Sequence, residues 1–173
     1  MKKACCFVIF VVVGCNPPSA PPREAGPKAD PAILALAKSL VLDSEPAGAK
    51  GVVDVRKIAK DGDEIVVAGQ VGGAVKPFVE GRASFVFVDP SFKPALECSC
   101  PWDFCDTDED ELKAGKATVK FVGGDGATLK AGARELFGLK ELSEIVVKGK
   151  ASRDDKGNLT ILASGLFIRK GEK

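Results

Sequence analysis

Three cysteines lie close together in the middle of the chain, in the run Cys98-Ser-Cys-Pro-Trp-Asp-Phe-Cys105. The same run contains the only tryptophan among the 173 residues. Thiols at this density can form a disulfide, hold a metal ion or take part in redox chemistry. The run is therefore the best candidate for a functional site, and each of these three chemistries is open to it.

A disulfide is the first of these chemistries and the one that we favour. It would join Cys105 to Cys98 or to Cys100, and such bonds persist in proteins that are exported from the cytoplasm. Because three thiols are present, one of them stays unpaired. This interpretation predicts a stapled loop that carries Trp102 and Asp103 as candidate ligand-binding side chains, with no bound cofactor and no metal.

A metal site is the first alternative. Thiolates with a carboxylate can hold zinc, and thiolates alone can hold a soft ion such as Cu(I). The ligands of such a site would be Cys98, Cys100 and Cys105, with Asp103 or Asp106 as a fourth. The C-x-C-x4-C spacing differs from the C-x2-C pairs of common zinc sites. A redox site with one exposed attacking thiol is the second alternative, although the run has no Cys-x-x-Cys motif.

An acidic run follows the last cysteine at 106–111, with the sequence Asp-Thr-Asp-Glu-Asp-Glu. It lacks the glycine that an EF-hand loop has at its sixth position. Acidic side chains also stabilise the N-terminus of a helix. The run is therefore predicted to begin a helix rather than to bind calcium.

Histidine and tyrosine are both absent from the sequence. Without an imidazole, the chain cannot build a Ser-His-Asp or Cys-His nucleophile pair, a His-ligated zinc site or a Cys-x-x-Cys-His haem attachment. No other pair of residues lies at catalytic spacing. We therefore predict no catalytic residues and no enzymatic activity.

The charge of the chain argues against nucleic acid as a partner. The formal net charge is +1, and removal of Lys2 and Lys3 with a leader leaves 23 basic against 24 acidic side chains. Proteins that bind phosphate backbones use clustered lysine and arginine. A nearly neutral chain with no evident basic cluster does not fit that class.

The N-terminus predicts export and lipid attachment. Lys2 and Lys3 precede an apolar run that ends at Val13, and this run is shorter than the roughly 20 residues that span a bilayer. The sequence Val-Val-Gly-Cys that ends at Cys15 resembles a bacterial lipobox. The resemblance implies that residues 1–14 are a lipoprotein signal peptide and that Cys15 carries the lipid.

Residues 15–30 contain five prolines and few apolar side chains, so they are predicted to be a tether. By resemblance to lipoprotein sorting rules, Asn16 in place of aspartate slightly favours the outer membrane. The segment 31–44 is predicted to contain a short helix that begins at the Asp30-Pro31 pair. The globular domain is predicted to occupy residues 45–173.

Apolar patterns and β-branched residues predict five strands in this domain. They lie at 64–73, 82–89, 116–122, 144–151 and 159–168. Short helices are predicted at 32–42 and 52–59, and another helix at 129–139 between the third and fourth strands. Turns are predicted at 45–51 and 154–158.

The first predicted strand has Gly69 in its interior, and a similar phrase with Gly149 returns in the fourth strand. A glycine inside a strand often marks a bulge or bend where a sheet curls. Two such strands favour a small closed barrel. The phenylalanines at strand and helix positions are predicted to face its core, namely Phe85, Phe87, Phe121, Phe137 and Phe167.

This order of elements is that of an OB-fold. The predicted fold class is mainly β, a five-stranded OB-fold-like barrel with a helix between strands 3 and 4 and short N-terminal helices. The phrases that begin at Val66, Phe85 and Ile145 resemble those of small periplasmic OB-fold domains.

The stretch from Glu45 onward also resembles a family of uncharacterised bacterial lipoproteins. The shared phrases are Glu-Pro-Ala-Gly-Ala from Glu45, Gly-Gly at 72–73, Pro-Phe at 77–78 and Pro-Trp-Asp at 101–103. The family pattern has two adjacent cysteines after the aromatic residue, whereas Asp106 follows Cys105 here. The resemblance implies no activity.

The sequence thus predicts a lipid-anchored binding or structural module on the periplasmic face of a bacterial envelope membrane. Its predicted partners are the membrane, through the lipid, and an envelope protein, but not nucleic acid. The alternative function is a thiol-based metal-binding or redox protein that uses Cys98, Cys100 and Cys105.

Overall fold

The computed structural model describes residues 30–95 and 97–170. The predicted leader at 1–14, the lipidation residue Cys15 and the part of the predicted tether before Asp30 lie outside these ranges. The helices are α1 (Pro31–Leu40), α2 (Val52–Ile58), α3 (Glu109–Ala114) and α4 (Ala133–Phe137), with a 3-10 turn at Pro101–Asp103. The strands are β1 (Lys50–Gly51), β2 (Glu64–Val71), β3 (Ser84–Val88), β4 (Lys116–Phe121), β5 (Glu144–Arg153) and β6 (Leu159–Ile168). None of the helices in the described ranges is both long enough and apolar enough to cross a bilayer.

The strands form one mixed sheet in the order β1-β2-β3-β4-β6-β5. Strand β5 also pairs with β2 over seven residue pairs, from Glu64 opposite Lys150 to Gln70 opposite Glu144. The pairings of the five longer strands therefore form a ring that returns to β2. Neighbours in this ring are antiparallel except β4 and β6, which are parallel. The five predicted strands are all present, within a few residues of their predicted ends.

A sixth, short strand was not expected. The prediction of a turn across 45–51 is wrong at its end, because β1 forms there and pairs in parallel with β2. A Cβ atom at Gly51 would lie 2.4 Å from Oδ2 of Asp89. Glycine is needed at position 51 because the backbone of β1 lies against the side chain of Asp89, which follows β3. No local sequence pattern predicts this contact.

The sheet carries its bulge where β5 meets β6, rather than at Gly69. The register between β2 and β5 is unbroken through Gly69. Between β5 and β6, Lys148 lies opposite Gly165 and Gly149 lies opposite Ala163, so Ser164 is an extra residue in β6. A bulge is therefore absent at Gly69 and present beside Gly149, the glycine of the similar phrase in the fourth predicted strand. A Cβ at Gly69 would instead lie 2.4 Å from the Phe87 ring, so this glycine makes room for an aromatic side chain.

The main core lies inside the ring of strands. Phe85 and Phe121 are fully buried, and their ring centroids are 6.4 Å apart. Phe78 extends the contact on one side, at 5.9 Å from Phe85, and Phe137 extends it on the other, at 4.4 Å from Phe121. Phe87 is also fully buried there, so four of the five predicted core phenylalanines are confirmed.

Phe167 is the exception. Residues Leu159 and Ile161 of β6 face the main core, and simple alternation from them would turn Phe167 inward as well. The extra residue at Ser164 reverses the alternation, so Leu166 faces the core and Phe167 lies on the outer face, half-buried. A one-residue insertion in a strand exchanges its two faces, and this exchange is the reason for the wrong prediction.

Capping residues set where the helices begin and end. The side chain of Asp30 accepts a hydrogen bond from Ala32 N at 2.8 Å, as the predicted N-cap requires. The helix predicted at 129–139 is too long, because α4 covers only Ala133–Phe137. Leu129 is extended beside β4, where its N–H donates to Phe121 O at 3.0 Å. Gly138 ends α4 in the left-handed conformation, with φ of 67°.

Candidate functional site

The cysteines of the predicted site lie in the connection between β3 and β4. We call residues 97–107 of this connection the Cys loop. It contains the 3-10 turn and leads directly into α3. The helix start predicted from the acidic run is confirmed, because the carboxylate of Asp108 caps α3 by accepting from Asp110 N at 3.0 Å and Glu111 N at 3.2 Å.

A small apolar cluster, separate from the main core, attaches the Cys loop to the sheet. We call it the second cluster; it consists of Val88, Phe92 and Phe104, with Leu112 and Leu142 packed against them. Val88 lies on the opposite face of β3 from Phe87, since neighbouring residues of a strand point to opposite faces. The nearly continuous apolar run at 85–88 is thus explained in part, because Val88 is covered on the outer face while Phe87 faces the main core.

Phe104 is the residue that positions Cys105. It is fully buried, its ring lies 6.4 Å from that of Phe92, and its backbone has φ of 58°. The left-handed conformation costs a non-glycine residue about 1–2 kcal/mol. Burial of a phenylalanine side chain contributes about 1.5–3 kcal/mol. Burial therefore offsets the backbone cost and holds the adjacent Cys105 at the edge of the second cluster.

The segment that follows β2, residues 72–75, packs directly against the Cys loop. The N–H of Gly73 donates to Trp102 O at 2.7 Å, and Trp102 Nε1 donates to Val75 O at 3.1 Å. A Cβ at Gly72 would lie 2.5 Å from Trp102 O and 2.7 Å from Cε2 of Phe104. Gly72 is needed here because the 3-10 turn lies directly on its backbone, whereas Gly73 has φ of 84° and lies against Val88.

The beginning of the connection is held by two polar side chains. The amide of Gln70 donates through Nε2 to Phe92 O at 2.7 Å. The buried carboxylate of Asp89 accepts from Val53 N at 2.9 Å and from Ser91 N at 3.0 Å. These bonds tie the end of β3 to the start of α2, so the Cys loop leaves the sheet from a fixed point.

The fold brings two of the three cysteines together with one carboxylate. The Sγ atoms of Cys98 and Cys105 and a carboxylate oxygen of Asp106 all lie within 4.8 Å of one another. The Cys105 thiol donates to Oδ1 of Asp106 at 4.0 Å. The loop cysteines are free thiols in this structure. The arrangement can close into a Cys98–Cys105 disulfide, or it can share a cation.

The other predicted site residues lie outside this group of three. Cys100 is half-buried, and its carbonyl accepts from Asp103 N at 3.0 Å within the 3-10 turn. Trp102 uses both its indole N–H and its carbonyl to hold the loop after β2. Of the two aspartates considered as a fourth ligand, the structure brings Asp106 to the thiols and not Asp103.

The thiol of Cys98 is a weaker acid than an ordinary cysteine. Its hydrogen bond with the Cys105 thiol, partial desolvation and the nearby charge of Asp106 raise its pKa from 9.0 to about 11. Attacking thiols in redox proteins have lowered pKa values and lie in electropositive surroundings. The surroundings of Cys98 have the opposite effect, so the geometry does not favour it as a redox nucleophile.

Acidic and basic residues are segregated along the chain. Residues 97–115 contain seven acidic side chains and one basic one, whereas residues 116–170 contain eleven basic and six acidic ones. The near-zero net charge of the chain therefore conceals a strongly acidic region around the Cys loop.

Phe104, Gly72 and Asp89 position the site, and sequence patterns do not identify them as site residues. The sequence offers one usable signal, a large aromatic residue directly beside Cys105 in a run of polar residues. The roles of Gly72 and Asp89 depend on close approaches between segments that are far apart in the chain. Such contacts leave no local pattern.

No protein-family model matches the chain, and no curated protein matches it either. Among solved structures, the chain is similar to the OBody AM1L10 bound to hen egg-white lysozyme, with 15% identity, a TM-score of 0.43, and coverage of 76% of this chain and 100% of that one. It is also similar to a protein described as an aspartyl-tRNA synthetase from Leishmania major Friedlin, with 7% identity, a TM-score of 0.44, and coverage of 82% of this chain and 26% of that one.

Proposed function

We propose that this protein is a lipid-anchored binding or structural module of the bacterial cell envelope, with an OB-fold-like domain carried on a tether from Cys15. The observation that carries the fold proposal is the ring of strand pairings that closes between β2 and β5. The parallel pairing of β4 with β6 and the position of α4 between β4 and β5 also support a five-stranded Greek-key barrel.

Proteins of this fold bind ligands on the outer face of their second and third strands. In this chain those strands are β3 and β4, and the part of their outer face beyond the second cluster carries Val86, Thr118 and Lys120, with Thr160 of β6 alongside. OB-folds that bind single-stranded nucleic acids stack bases on aromatic side chains. These four residues include no aromatic one, so we propose an envelope protein, rather than nucleic acid, as the partner of this face.

We further propose that a disulfide between Cys98 and Cys105 closes the Cys loop in the exported protein. The proximity of the two sulfur atoms supports this pairing over one with Cys100. Exchange with an oxidised partner disulfide would form the bond. The two thiols give up two protons and two electrons, and the partner is reduced to two thiols. A bond that closes so short a loop contributes about 2 kcal/mol to stability.

Mass spectrometry of the full chain isolated from bacterial membranes tests the anchor. We expect acyl chains on Cys15, and we expect a Cys15→Ser variant to be unacylated and released from the membrane fraction. Wild-type protein recovered without acyl chains from the soluble fraction would contradict the anchor proposal.

A thiol titration of the unfolded, non-reduced protein tests the proposed disulfide between Cys98 and Cys105. With Cys15 acylated, we expect one free thiol in the wild type, none in Cys100→Ser and two in Cys98→Ser. Three free thiols in acylated protein taken directly from the envelope would contradict the disulfide, and so would four in unacylated protein that has lost the leader and keeps Cys15.

A further inference from the structure

Cys98, Cys105 and Asp106 form the only group of three metal-ligating side chains with mutually close ligand atoms in residues 30–95 and 97–170. Tetrahedral zinc has bonds of about 2.3 Å to sulfur and about 2.0–2.2 Å to oxygen, which places its ligand atoms about 3.5–4 Å apart. The ligand atoms here are all within 4.8 Å of one another. The thiols and carboxylate therefore lie close to the spacing of a metal-bound set.

We propose that, with its thiols reduced, the Cys loop binds one borderline-soft divalent cation of the Zn²⁺ class through Cys98, Cys105 and Asp106. This inference goes beyond the proposed function, and it does not depend on the lipid anchor. Two thiolates and one carboxylate suit such an ion, whereas hard cations such as Mg²⁺ and Ca²⁺ prefer oxygen ligands alone.

The positions of the ligands are set before an ion arrives. Phe104, buried in the second cluster, fixes the backbone beside Cys105 and, one residue further, Asp106. The N–H of Cys98 donates to Ala95 O at 3.1 Å, which fixes the other side of the site. Because these contacts already order the loop, binding requires only small rotations of the three side chains.

The charge of the region favours a cation. Seven of the side chains in residues 97–115 are acidic and one is basic, so the field around the thiols is negative. Each thiol loses its proton to solvent when it binds the ion, and affinity therefore rises with pH. A bound dication neutralises two of the three negative charges that its ligands then carry.

The site is open on one side. Cys105 and Asp106 are exposed and Cys98 is half-buried, and Cys100 does not belong to the group. Three protein ligands leave the fourth tetrahedral position to water or to a ligand from another molecule. An ion held in this way exchanges readily, unlike the ion of a closed structural site.

Metal binding and disulfide formation exclude each other, because both use the sulfur atoms of Cys98 and Cys105. The oxidised protein has no thiolates at this position and is expected not to bind the ion. The redox state of the loop therefore decides whether a site exists.

Co²⁺ titration of the reduced full chain under anaerobic conditions tests the proposal, since thiolate ligation gives Co²⁺ a charge-transfer absorption in the near ultraviolet. We expect one Co²⁺ per chain, with this absorption, displaced by Zn²⁺. The absorption should be lost in Cys98→Ser and in Cys105→Ser and retained in Cys100→Ser, which is the matched control in the same loop. Asp106→Asn should weaken binding by more than about tenfold, because even outer-shell partners of a metal are worth 10–100-fold.

Circular dichroism and thermal melting of each variant establish that it is folded. The proposal is overturned if the folded, reduced wild type shows no thiolate-to-cobalt absorption, or if Cys100→Ser loses it as completely as Cys98→Ser. It is also overturned if the fully oxidised protein binds Co²⁺ as tightly as the reduced one. These outcomes leave the anchor and the disulfide untouched, since those are measured by mass and thiol count.

Discussion

The main core and the second cluster are both closed by buried phenylalanines, yet the two regions are built in different ways. In the main core, Phe85 and Phe121 lie on neighbouring strands in a regular register, and each contacts further aromatic rings. In the second cluster, Phe104 lies in a loop, in a left-handed backbone conformation, and contacts a single aromatic ring. The first arrangement follows from repeated alternation, whereas the second depends on a few individual contacts.

The main core therefore provides most of the stability, whereas the second cluster positions the reactive groups of the Cys loop. The main core is closed by the whole ring of strands and contains no titratable side chain among its buried members. The second cluster lies outside the ring and holds the Cys loop, which contains the thiols and the left-handed Phe104, beside the acidic start of α3. A site in such a place can change its oxidation state or its ligand without disturbing the ring.

Phe85→Ala should have the largest effect on the free energy of unfolding, a loss of about 3–5 kcal/mol, because it leaves a cavity in the main core. Chemical denaturation followed by circular dichroism measures this loss. Val75→Ala is the control, since Val75 is 62% exposed and the change should stay within about 0.5 kcal/mol. Similar losses of unfolding free energy in the two variants would show that the core inside the ring does not dominate stability.

Phe104→Ala should cost less, about 2 kcal/mol, because the lost burial is accompanied by detachment of the loop and relief of backbone strain. The ring of strands should stay folded while the Cys loop opens. We therefore expect the reduced variant to label faster at Cys98 with a thiol reagent, at unchanged strand content. A loss equal to that of Phe85→Ala would show that the two clusters unfold as one.

Gly72→Ala should destabilise the protein by about 1–3 kcal/mol, because the new Cβ would lie 2.5 Å from Trp102 O. Gly124→Ala is the matched control, since a Cβ there has no heavy atom within 4 Å. Thermal melting of the two variants compares a glycine under the Cys loop with one in open space. Equal melting temperatures would mean that the 3-10 turn is not held on this backbone.

In the reduced, metal-free protein, Cys105→Ala should leave stability almost unchanged and alter the titration of Cys98. In the reduced wild type, the pKa of Cys98 is raised to about 11, chiefly by the hydrogen bond with Cys105. A raised pKa keeps the thiol protonated, so the alkylation rate at Cys98 should keep rising with pH and level off only near that value. In the variant, the rate profile should move to lower pH, toward the ordinary value of 9.0. Rates of iodoacetamide labelling at a series of pH values measure this shift, and identical profiles would contradict it.

Much of the sheet is predictable because its signals are local. The strands at β4 and β6 follow from alternation and β-branched residues, and α1 follows from the Asp30-Pro31 pair. The errors fall where one residue changes the pattern. The extra residue Ser164 reverses the faces of β6, and Gly132 and Gly138 shorten the helix between β4 and β5.

The candidate site was only half predictable. Its residue types and its thiol content were evident from Cys98 to Cys105, and Cys105 was the expected member of a pair, but the choice of Cys98 as its neighbour was not. Spacing along the chain left Cys98 and Cys100 as alternative partners of Cys105, and Asp103 and Asp106 as alternative fourth ligands. The turn of the backbone at Phe104 decides between them, and that turn exists because its ring is buried against Phe92.

Residue types and side-chain periodicity are sufficient to predict the mainly β character of the chain, the order of its longer elements and the segment that holds its reactive groups. These signals act over a few neighbouring residues. The strands that close the ring, the face that Phe167 takes and the thiols that meet follow instead from the folded arrangement. Those outcomes depend on contacts between distant segments, such as Gly72 beneath Trp102, where the absence of one methyl group permits the approach.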